Sequence, residues 1–135
     1  MKFFFDNNLP PQLASAIHEL IKPDGHSTIH LRQRFPPNIS DRNWIEALGL
    51  EGDWAVISAD VRIWKNPHEK EAWKASRLTV FFLTQPWSKQ KLWEKAWRLI
   101  RWWPRIVEMA EIVEAGAAYE IPPKYGSGKL RQLRG

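Results

Sequence analysis

The chain has 135 residues, 44% of them hydrophobic, which is enough for one domain with a buried core and argues against wholesale disorder. It contains no cysteine, so a disulfide framework and a thiolate metal site are both excluded. No apolar run approaches a membrane span and no signal-peptide pattern is present, so we expect a cytoplasmic protein with no membrane partner. The net charge of +5 favours polyanionic partners, nucleic acid above all, but a basic solvated surface explains it equally well.

The first predicted strand ends in a carboxylate. Phe3, Phe4 and Phe5 form a short apolar run that is typical of a strand buried on both faces. Asp6 follows directly, and the Pro pair after Leu9 then opens a helix predicted over residues 10–21. Ligands of open parallel α/β sheets bind at the carboxyl ends of strands. Asp6 is therefore a candidate site residue.

Apolar residues at helical spacing define the faces that we expect to be buried. In helix 10–21 these residues are Leu13, Ala16, Ile17 and Leu20. A second strand is predicted over 27–31, and a second helix begins after Ser40, a favourable N-cap. Its apolar stripe is Trp44, Ile45 and Leu48. Asp41 precedes these residues by three, four and seven positions, so its carboxylate is expected at the edge of the core.

Strands and helices continue to alternate along the chain. A third strand over 54–58 is followed by Asp60, much as the first strand is followed by Asp6. Asn66 and Pro67 open a short helix that is predicted to reach residue 75. Two more strands are predicted, over 78–83 and 119–121. The alternation predicts an α/β fold with three α/β/α layers and a mostly parallel sheet of four to five strands.

The second half of the sequence is rich in tryptophan and in basic residues. A long helix is predicted from 88 to 103, to be kinked or restarted by Pro104 and to continue to 115. We expect its apolar residues to pack in the core or in a partner interface; they are Leu92, Trp93, Ala96, Trp97, Leu99, Ile100 and Trp103. The rival interpretation is a surface on which nucleic-acid bases stack. Residues 126–135 are predicted to form a basic, mobile tail.

Three carboxylates are expected at one edge of the sheet. If the strands before Asp6 and Asp60 are neighbours, these side chains converge, and Asp41 begins the helix between them. Carboxylates at such short distances repel one another unless a cation binds between them or one of them is protonated. Oxygen ligands favour Mg²⁺ or Mn²⁺ as that cation. Such an ion activates water and neutralises charge on a phosphoryl group. Each aspartate alone is more simply a turn former or a helix-dipole residue, but the three together favour a metal site.

The sequence FFFDNNLPPQLASAI, the Ser-Asp start of the second helix and VISAD of the third strand resemble the PIN-like domains. The closest likeness is to the toxin-type group, whose first strand ends in D-x-N-L-P, and it covers about residues 2–85. The resemblance implies a Mg²⁺- or Mn²⁺-dependent endoribonuclease, the toxin of a bacterial type II toxin–antitoxin pair. Its partners would be RNA and a cognate antitoxin; apart from the resemblance, any exposed tryptophan is a candidate anchor for the antitoxin or for a second copy of the chain in a homodimer. The domain would span 1–125, with its Trp-rich helical second half over 88–115.

The resemblance also implies roles for individual residues. Asp6, Asp41 and Asp60 would be metal ligands and catalytic residues, with Asn8 as a polar support. Ser58, two residues before Asp60, is a further candidate for support of the site.

One position departs from the family pattern. Relatives often carry a further acidic residue where this chain has Arg62, which we expect to meet a substrate phosphate. The departure leaves open whether one or two metal ions bind and whether the domain is active. A fourth ligand would have to come from Asn66, Glu69 or Glu71.

Two other classes of function remain open. A receiver-like phosphoacceptor domain also has acids after its first and third strands, and Thr84 after the fourth strand would suit it. A receiver-like domain gives no role to Asp41. It would also carry paired acids early in the chain, where this sequence has Asn7 and Asn8 after Asp6. The other class is a non-catalytic module that binds RNA or a protein through its basic and tryptophan residues.

Overall fold

The fold is built on one six-stranded sheet, seen here in a computed structural model that describes residues 1–113 and 115–133. The strands are β1 (Lys2–Phe5), β2 (Ser27–His30), β3 (Trp54–Ser58), β4 (Thr79–Leu83), β5 (Ala118–Ile121) and β6 (Arg131–Leu133). Their order is β2-β1-β3-β4-β5-β6, and every neighbouring pair is parallel except β5 and β6. The predicted mostly parallel α/β sheet is confirmed, with six strands instead of four to five.

Helices cover both faces of the sheet. They are α1 (Pro11–Ile21), α2 (Asp41–Glu51), α3 (Arg62–Lys65), α4 (Pro67–Ser76) and α5 (Leu92–Ile112). Successive residues of a strand point to opposite faces. Phe3 and Phe5 accordingly pack in one core cluster with α1 and α5, and Phe4 packs in the other with α2 and α4. This arrangement gives the expected three layers and buries β1 on both sides.

The buried face of α1 differs from the predicted one. Leu13 and Ile17 are buried as expected, but their companions are Ala14 and Ile21. Ala16 and Leu20, which were predicted to be buried, are exposed. Ala14 and Ala16 extend the apolar stripe to either side of Leu13 and Ile17 by a similar amount. The spacing of the apolar residues therefore does not show which of the two sides packs against the core.

The long Trp-rich helix buries only part of the predicted apolar stripe. α5 continues through Pro104 as one helix, so Pro104 does not restart it. Its buried residues are Leu99, Trp102, Trp103, Ile106 and Ala110. Trp93 and Trp97 are 84% and 55% exposed, and Leu92 and Ile100 are exposed as well. The inward face is rotated because Trp103 packs edge-on against Phe3 of the sheet, with ring centroids 4.9 Å apart.

Part of the predicted mobile tail belongs to the sheet. Residues 131–133 form β6, which pairs antiparallel with β5 and places Arg131 3.7 Å from Glu120. The pairing covers an edge that β5 would otherwise expose. Arg134 and Gly135 of the predicted tail, and Glu114 of the predicted helical region, lie outside the described residues. No helix in the described part of the chain is long and apolar enough to cross a membrane.

Candidate functional site

The carboxyl ends of β1 and β3 form the topological switch point of the sheet. From β1 the chain turns to β2 on one side, and it later returns to β3 on the other side. Crevices at such points are where open α/β sheets bind ligands. Phe5 pairs with Ile57, so the next residues of the two strands, Asp6 and Ser58, lie side by side. The predicted adjacency of these two strands is therefore observed.

Asp6 is a buried carboxylate with two hydrogen bonds. Its exposed fraction is 1%. Oδ1 accepts the backbone N–H of Asn8 at 3.0 Å, and Oδ2 accepts a short hydrogen bond from the Ser58 hydroxyl. The pKa of Asp6 is raised to about 7, mainly by burial and to a smaller extent by the charges of Asp41 and Asp60, while the two hydrogen bonds act to lower it. Asp6 is therefore poised between its neutral and its charged form near neutral pH.

Asp60 is neutralised by an arginine. The Arg62 guanidinium donates from Nε to Oδ1 at 2.8 Å and from Nη2 to Oδ2 at 3.1 Å, and the Arg62 backbone N–H also donates to Oδ1. These hydrogen bonds from the Arg62 side chain are the main reason why the pKa of Asp60 is lowered. The backbone N–H of Asp60 donates to Ser58 Oγ at 3.1 Å. Ser58 thus bridges the chain at Asp60 to the carboxylate of Asp6.

Asp41 is oriented by the core of the protein. Ser40 caps α2 by accepting the Asn43 backbone N–H at 3.1 Å, which places Asp41 in the first turn. Asp41 Oδ1 accepts the indole N–H of Trp44 at 3.0 Å. Because Trp44 is fully buried, this bond turns the carboxylate toward the core side of α2.

A cleft of about 470 Å³ opens beside these strand ends. Its walls include the polar residues Asn8, Asp60, Arg62, Thr84, Ser88 and Lys95. Lys95 comes from the first turns of α5, so the walls of the cleft carry a second cation besides Arg62. The mixture of amides, hydroxyls and cations suits an anionic ligand such as a phosphodiester.

The comparison with protein families decides what kind of domain this is. Residues 1–85, more than half of the chain, match the family described as a PIN like domain. The chain belongs to the PIN-like domain family. Comparison with curated proteins and with solved structures finds no match. PIN-like domains have a nuclease-related fold and are typically metal-dependent, and the matched range contains all three predicted ligands, Asp6, Asp41 and Asp60. Membership of this family favours the nuclease-related interpretation over the receiver-like one.

The acids of this PIN-like domain fit a hard divalent cation in kind, but they do not form a ready-made coordination shell. Asp41 and Asp60 are close enough to raise the pKa of Asp6. Over residues 1–113 and 115–133, however, no group of three His, Asp or Glu side chains is close enough to hold an ion. Asp6 forms no ion pair with another described residue. Asp6 is thus a buried carboxylate whose charge is not offset by a cationic side chain among the described residues.

The remaining predicted site residues fall into two groups. Asn8 supports Asp6 through its backbone N–H, and its side chain is exposed at the cleft. Asn66 caps α4 by accepting the His68 backbone N–H at 2.9 Å, so its amide oxygen is already engaged. Glu69 lies in the first turn of α4, and its buried Oε2 has no hydrogen-bond partner among the described residues. Of the three candidates for a fourth ligand, Glu69 is therefore better suited than Asn66.

His30 contributes to the site although its sequence position gave little signal. It is fully buried at the end of β2, where its Nδ1 accepts the Arg32 backbone N–H at 3.1 Å. Nε2 consequently carries the proton and donates to the Leu9 carbonyl at 2.6 Å, which fixes the turn after Asp6. Burial is the main cause that lowers the pKa of His30. Since no metal-ligand spacing involves His30, only its place at the end of a predicted strand could have pointed to it.

Proposed function

We propose that this PIN-like domain is a Mg²⁺- or Mn²⁺-dependent endoribonuclease that hydrolyses RNA phosphodiester bonds. The observation that carries the proposal is the buried carboxylate of Asp6, which lacks a cationic partner among the described residues and lies at the sheet's switch point, where the charges of Asp41 and Asp60 act on it. The adjoining cleft offers Arg62 and Lys95 to an anionic backbone. The net charge of +5 favours attraction of a polyanion.

In this proposal one set of residues would bind the cation and another would bind the RNA. Asp6, Asp41 and Asp60 would bind the ion, which when bound acts as a Lewis acid on the phosphodiester. Ser58 fixes the rotamer of Asp6 by hydrogen bonding, and Trp44 does the same for Asp41. Lys95 and Arg62 would position the phosphates along the cleft. This scheme requires no side-chain nucleophile.

Removal of the metal tests the proposed activity. Purified protein incubated with a labelled single-stranded RNA is expected to cut it in Mn²⁺ or Mg²⁺ and to lose at least about a hundredfold in rate in EDTA, equivalent to about 2.7 kcal/mol. Excess Mn²⁺ should restore cleavage. The new ends should be 5′-phosphates. A 2′,3′-cyclic phosphate would instead indicate attack by the ribose hydroxyl, which is how a contaminating metal-independent ribonuclease would cut the RNA. RNA binding without cleavage in either metal would favour the non-catalytic module.

An exposed apolar surface supports the proposed role as a toxin held by an antitoxin. Trp93, Trp97 and Ile100 follow one another at helical spacing on α5, and Leu20 of α1 is exposed across the neighbouring groove. This groove between α1 and α5 has a volume of about 480 Å³ and mostly apolar walls. We call these four residues the α5 patch. Apolar surfaces of this kind mark interaction sites, and tryptophan is the commonest anchor residue in them.

Charge indicates which partner the α5 patch would take. Residues 89–105 carry six basic side chains, Lys89, Lys91, Lys95, Arg98, Arg101 and Arg105, and one acidic side chain, Glu94. The patch therefore suits a polypeptide with apolar anchors and acidic flanks, as an antitoxin segment would provide. The groove beside the α5 patch is lined mainly by aliphatic side chains, which favours a protein chain over stacked bases, since bases gain most from flat aromatic surfaces.

We expect Trp97→Ala to weaken binding of the antitoxin by about thirtyfold, a loss of about 2 kcal/mol that is typical of an interface hot spot. The partner to test is the product of a small reading frame adjacent to the gene, measured by calorimetry against the purified domain. Leu50→Ala, which removes a 90% exposed side chain of α2, is the matched control and should change binding little. Unchanged binding by Trp97→Ala would contradict this use of the α5 patch. Loss of a homodimer instead would assign the patch to a second copy of the chain.

A further inference from the structure

Arg62 occupies the oxygens of Asp60 that a metal ion would need. Its guanidinium donates to both Oδ1 and Oδ2, and its backbone N–H adds a third bond to Oδ1. A divalent cation binds carboxylate oxygens from the same side as hydrogen-bond donors do. The guanidinium and a metal ion therefore compete for the oxygens of one carboxylate.

The Arg62 side chain is free to leave Asp60. It is 89% exposed, whereas Asp60 is only 20% exposed. Ion pairs of exposed side chains contribute little to stability, because both partners are well solvated when apart. The backbone N–H of Arg62 donates to Asp60 Oδ1 at 3.1 Å, and this bond keeps the carboxylate in place when the guanidinium moves. The pair is thus an exchangeable contact on a fixed aspartate.

The cleft provides the guanidinium with a second kind of partner. Arg62 and Lys95 both line the cleft, as does Asn8. A backbone phosphate that enters the cleft meets walls that carry both cations, and guanidinium groups bind phosphate in the same forked geometry as carboxylate. RNA in the cleft would therefore draw Arg62 from Asp60 at little cost.

We propose that Arg62 couples the binding of RNA phosphate to the binding of the divalent cation, by covering Asp60 in the free protein and releasing it when a phosphate takes the guanidinium. The inference rests on the proposed ribonuclease function and deepens it. It makes both carboxylate oxygens of Asp60 available to the cation only when RNA is present. Because coupling free energies are reciprocal, RNA must tighten metal binding by the same factor by which the metal tightens RNA binding.

The first test measures Mn²⁺ binding without RNA, by the loss of the electron paramagnetic resonance signal of free Mn²⁺. Arg62→Gln should bind Mn²⁺ about tenfold more tightly than the parent, since it removes both the competitor and a like charge from the ion. Lys65→Gln is the matched control, because it removes one positive charge from an exposed position of the same helix, α3. It should change the affinity by about twofold or less. If both variants bound Mn²⁺ more tightly by the same factor, the effect of Arg62 would be only that of one positive charge, and the proposal would be overturned.

The second test measures the coupling itself, by fluorescence anisotropy of a labelled single-stranded 2′-O-methyl phosphorothioate oligonucleotide that resists cleavage. Mn²⁺ should tighten its binding to the parent by about fivefold or more, within the usual range of coupling, and by a clearly smaller factor in Arg62→Gln, where only the direct contact between ion and phosphodiester couples the two. An uncharged methylphosphonate oligonucleotide should show no coupling in either protein. Coupling of equal size in the parent and in Arg62→Gln would overturn the proposal.

The two tests separate this inference from the proposed function. If the parent binds Mn²⁺ and cuts RNA but Arg62→Gln binds Mn²⁺ no more tightly, the coupling is wrong and the ribonuclease stands. If neither protein binds Mn²⁺, with or without the oligonucleotide, both the metal site and the coupling are wrong.

Discussion

Asp6→Asn is expected to abolish RNA cleavage and to make the metal-free protein more stable at alkaline pH. The amide keeps the size of the side chain and can still accept the Asn8 backbone N–H, so the turn after β1 should be retained. It is a far poorer ligand for a hard cation than a carboxylate. We expect the rate of cleavage to fall by about a thousandfold or more, equivalent to about 4 kcal/mol.

The stability of the Asp6→Asn variant follows from the raised pKa of the native carboxyl. The pKa of Asp6 is about 7 in the folded protein, against an ordinary value of 3.8 for this carboxyl. Folding therefore favours the protonated form, and stability is lost as the pH rises from about 4 through 7. Above pH 7 the ionised, buried Asp6 costs up to about 4 kcal/mol, since each unit of pKa corresponds to about 1.4 kcal/mol. Asparagine carries no charge and escapes this cost.

The measurement is urea unfolding of both proteins in EDTA at pH 4 and pH 8. The variant and the parent should be similar in stability at pH 4, and the variant should be more stable at pH 8. Asp24→Asn, in an exposed turn after α1, is the control and should change neither cleavage nor the pH dependence. A variant that cuts RNA as fast as the parent would contradict the site, and one that is less stable at pH 8 would contradict the buried charge.

Trp44→Ala is expected to cost about 3–5 kcal/mol of unfolding free energy, the usual range for removal of a fully buried large aromatic side chain. Trp44 stacks on Phe4 with ring centroids 5.1 Å apart and meets Trp73 edge-on at 5.7 Å. It therefore joins β1, α2 and α4 at the centre of one core cluster. Its loss also removes the indole donor that orients Asp41.

Chemical denaturation of a matched tryptophan pair checks this expectation. Trp93→Ala removes the same side chain from a position that is 84% exposed, so it should change stability by about 0.5 kcal/mol or less. Trp44→Phe should retain most of the stability while losing the hydrogen bond to Asp41, which makes it the variant in which activity can be measured. Similar losses for Trp44→Ala and Trp93→Ala would mean that the buried and exposed faces have been assigned wrongly.

The sequence was sufficient for the parts of the fold that depend on local signals. The Phe3–Phe5 run, the Asp6 that ends it and the Ser40 cap all lie where the sequence predicted them, because strand burial and helix capping are decided within a few residues. The pairing of β1 with β3, which brings the residues after both strands to one edge of the sheet, followed from parallel topology.

Features that depend on distant contacts were not predictable in the same way. The buried face of α5 depends on which tryptophans meet Phe3 and Tyr125, and an apolar helix with tryptophan on several sides does not reveal that choice. The pairing of β6 with β5 has no signal in a short basic segment. The contact of His30 with the Leu9 carbonyl spans 21 positions of sequence, and the Arg62 fork on Asp60 is a choice of side-chain rotamer.

The central claim is that Asp6 and Asp60 share a divalent cation at the carboxyl edge of β1 and β3. Diffraction from crystals soaked in Mn²⁺, recorded at the manganese absorption edge, tests this claim most directly. We predict an anomalous peak about 2 Å from carboxylate oxygens of both residues, stronger in crystals that also contain a cleavage-resistant oligonucleotide. A well-ordered site with Asp60 still held by Arg62 and no peak beside Asp6, even with the oligonucleotide bound, would contradict it.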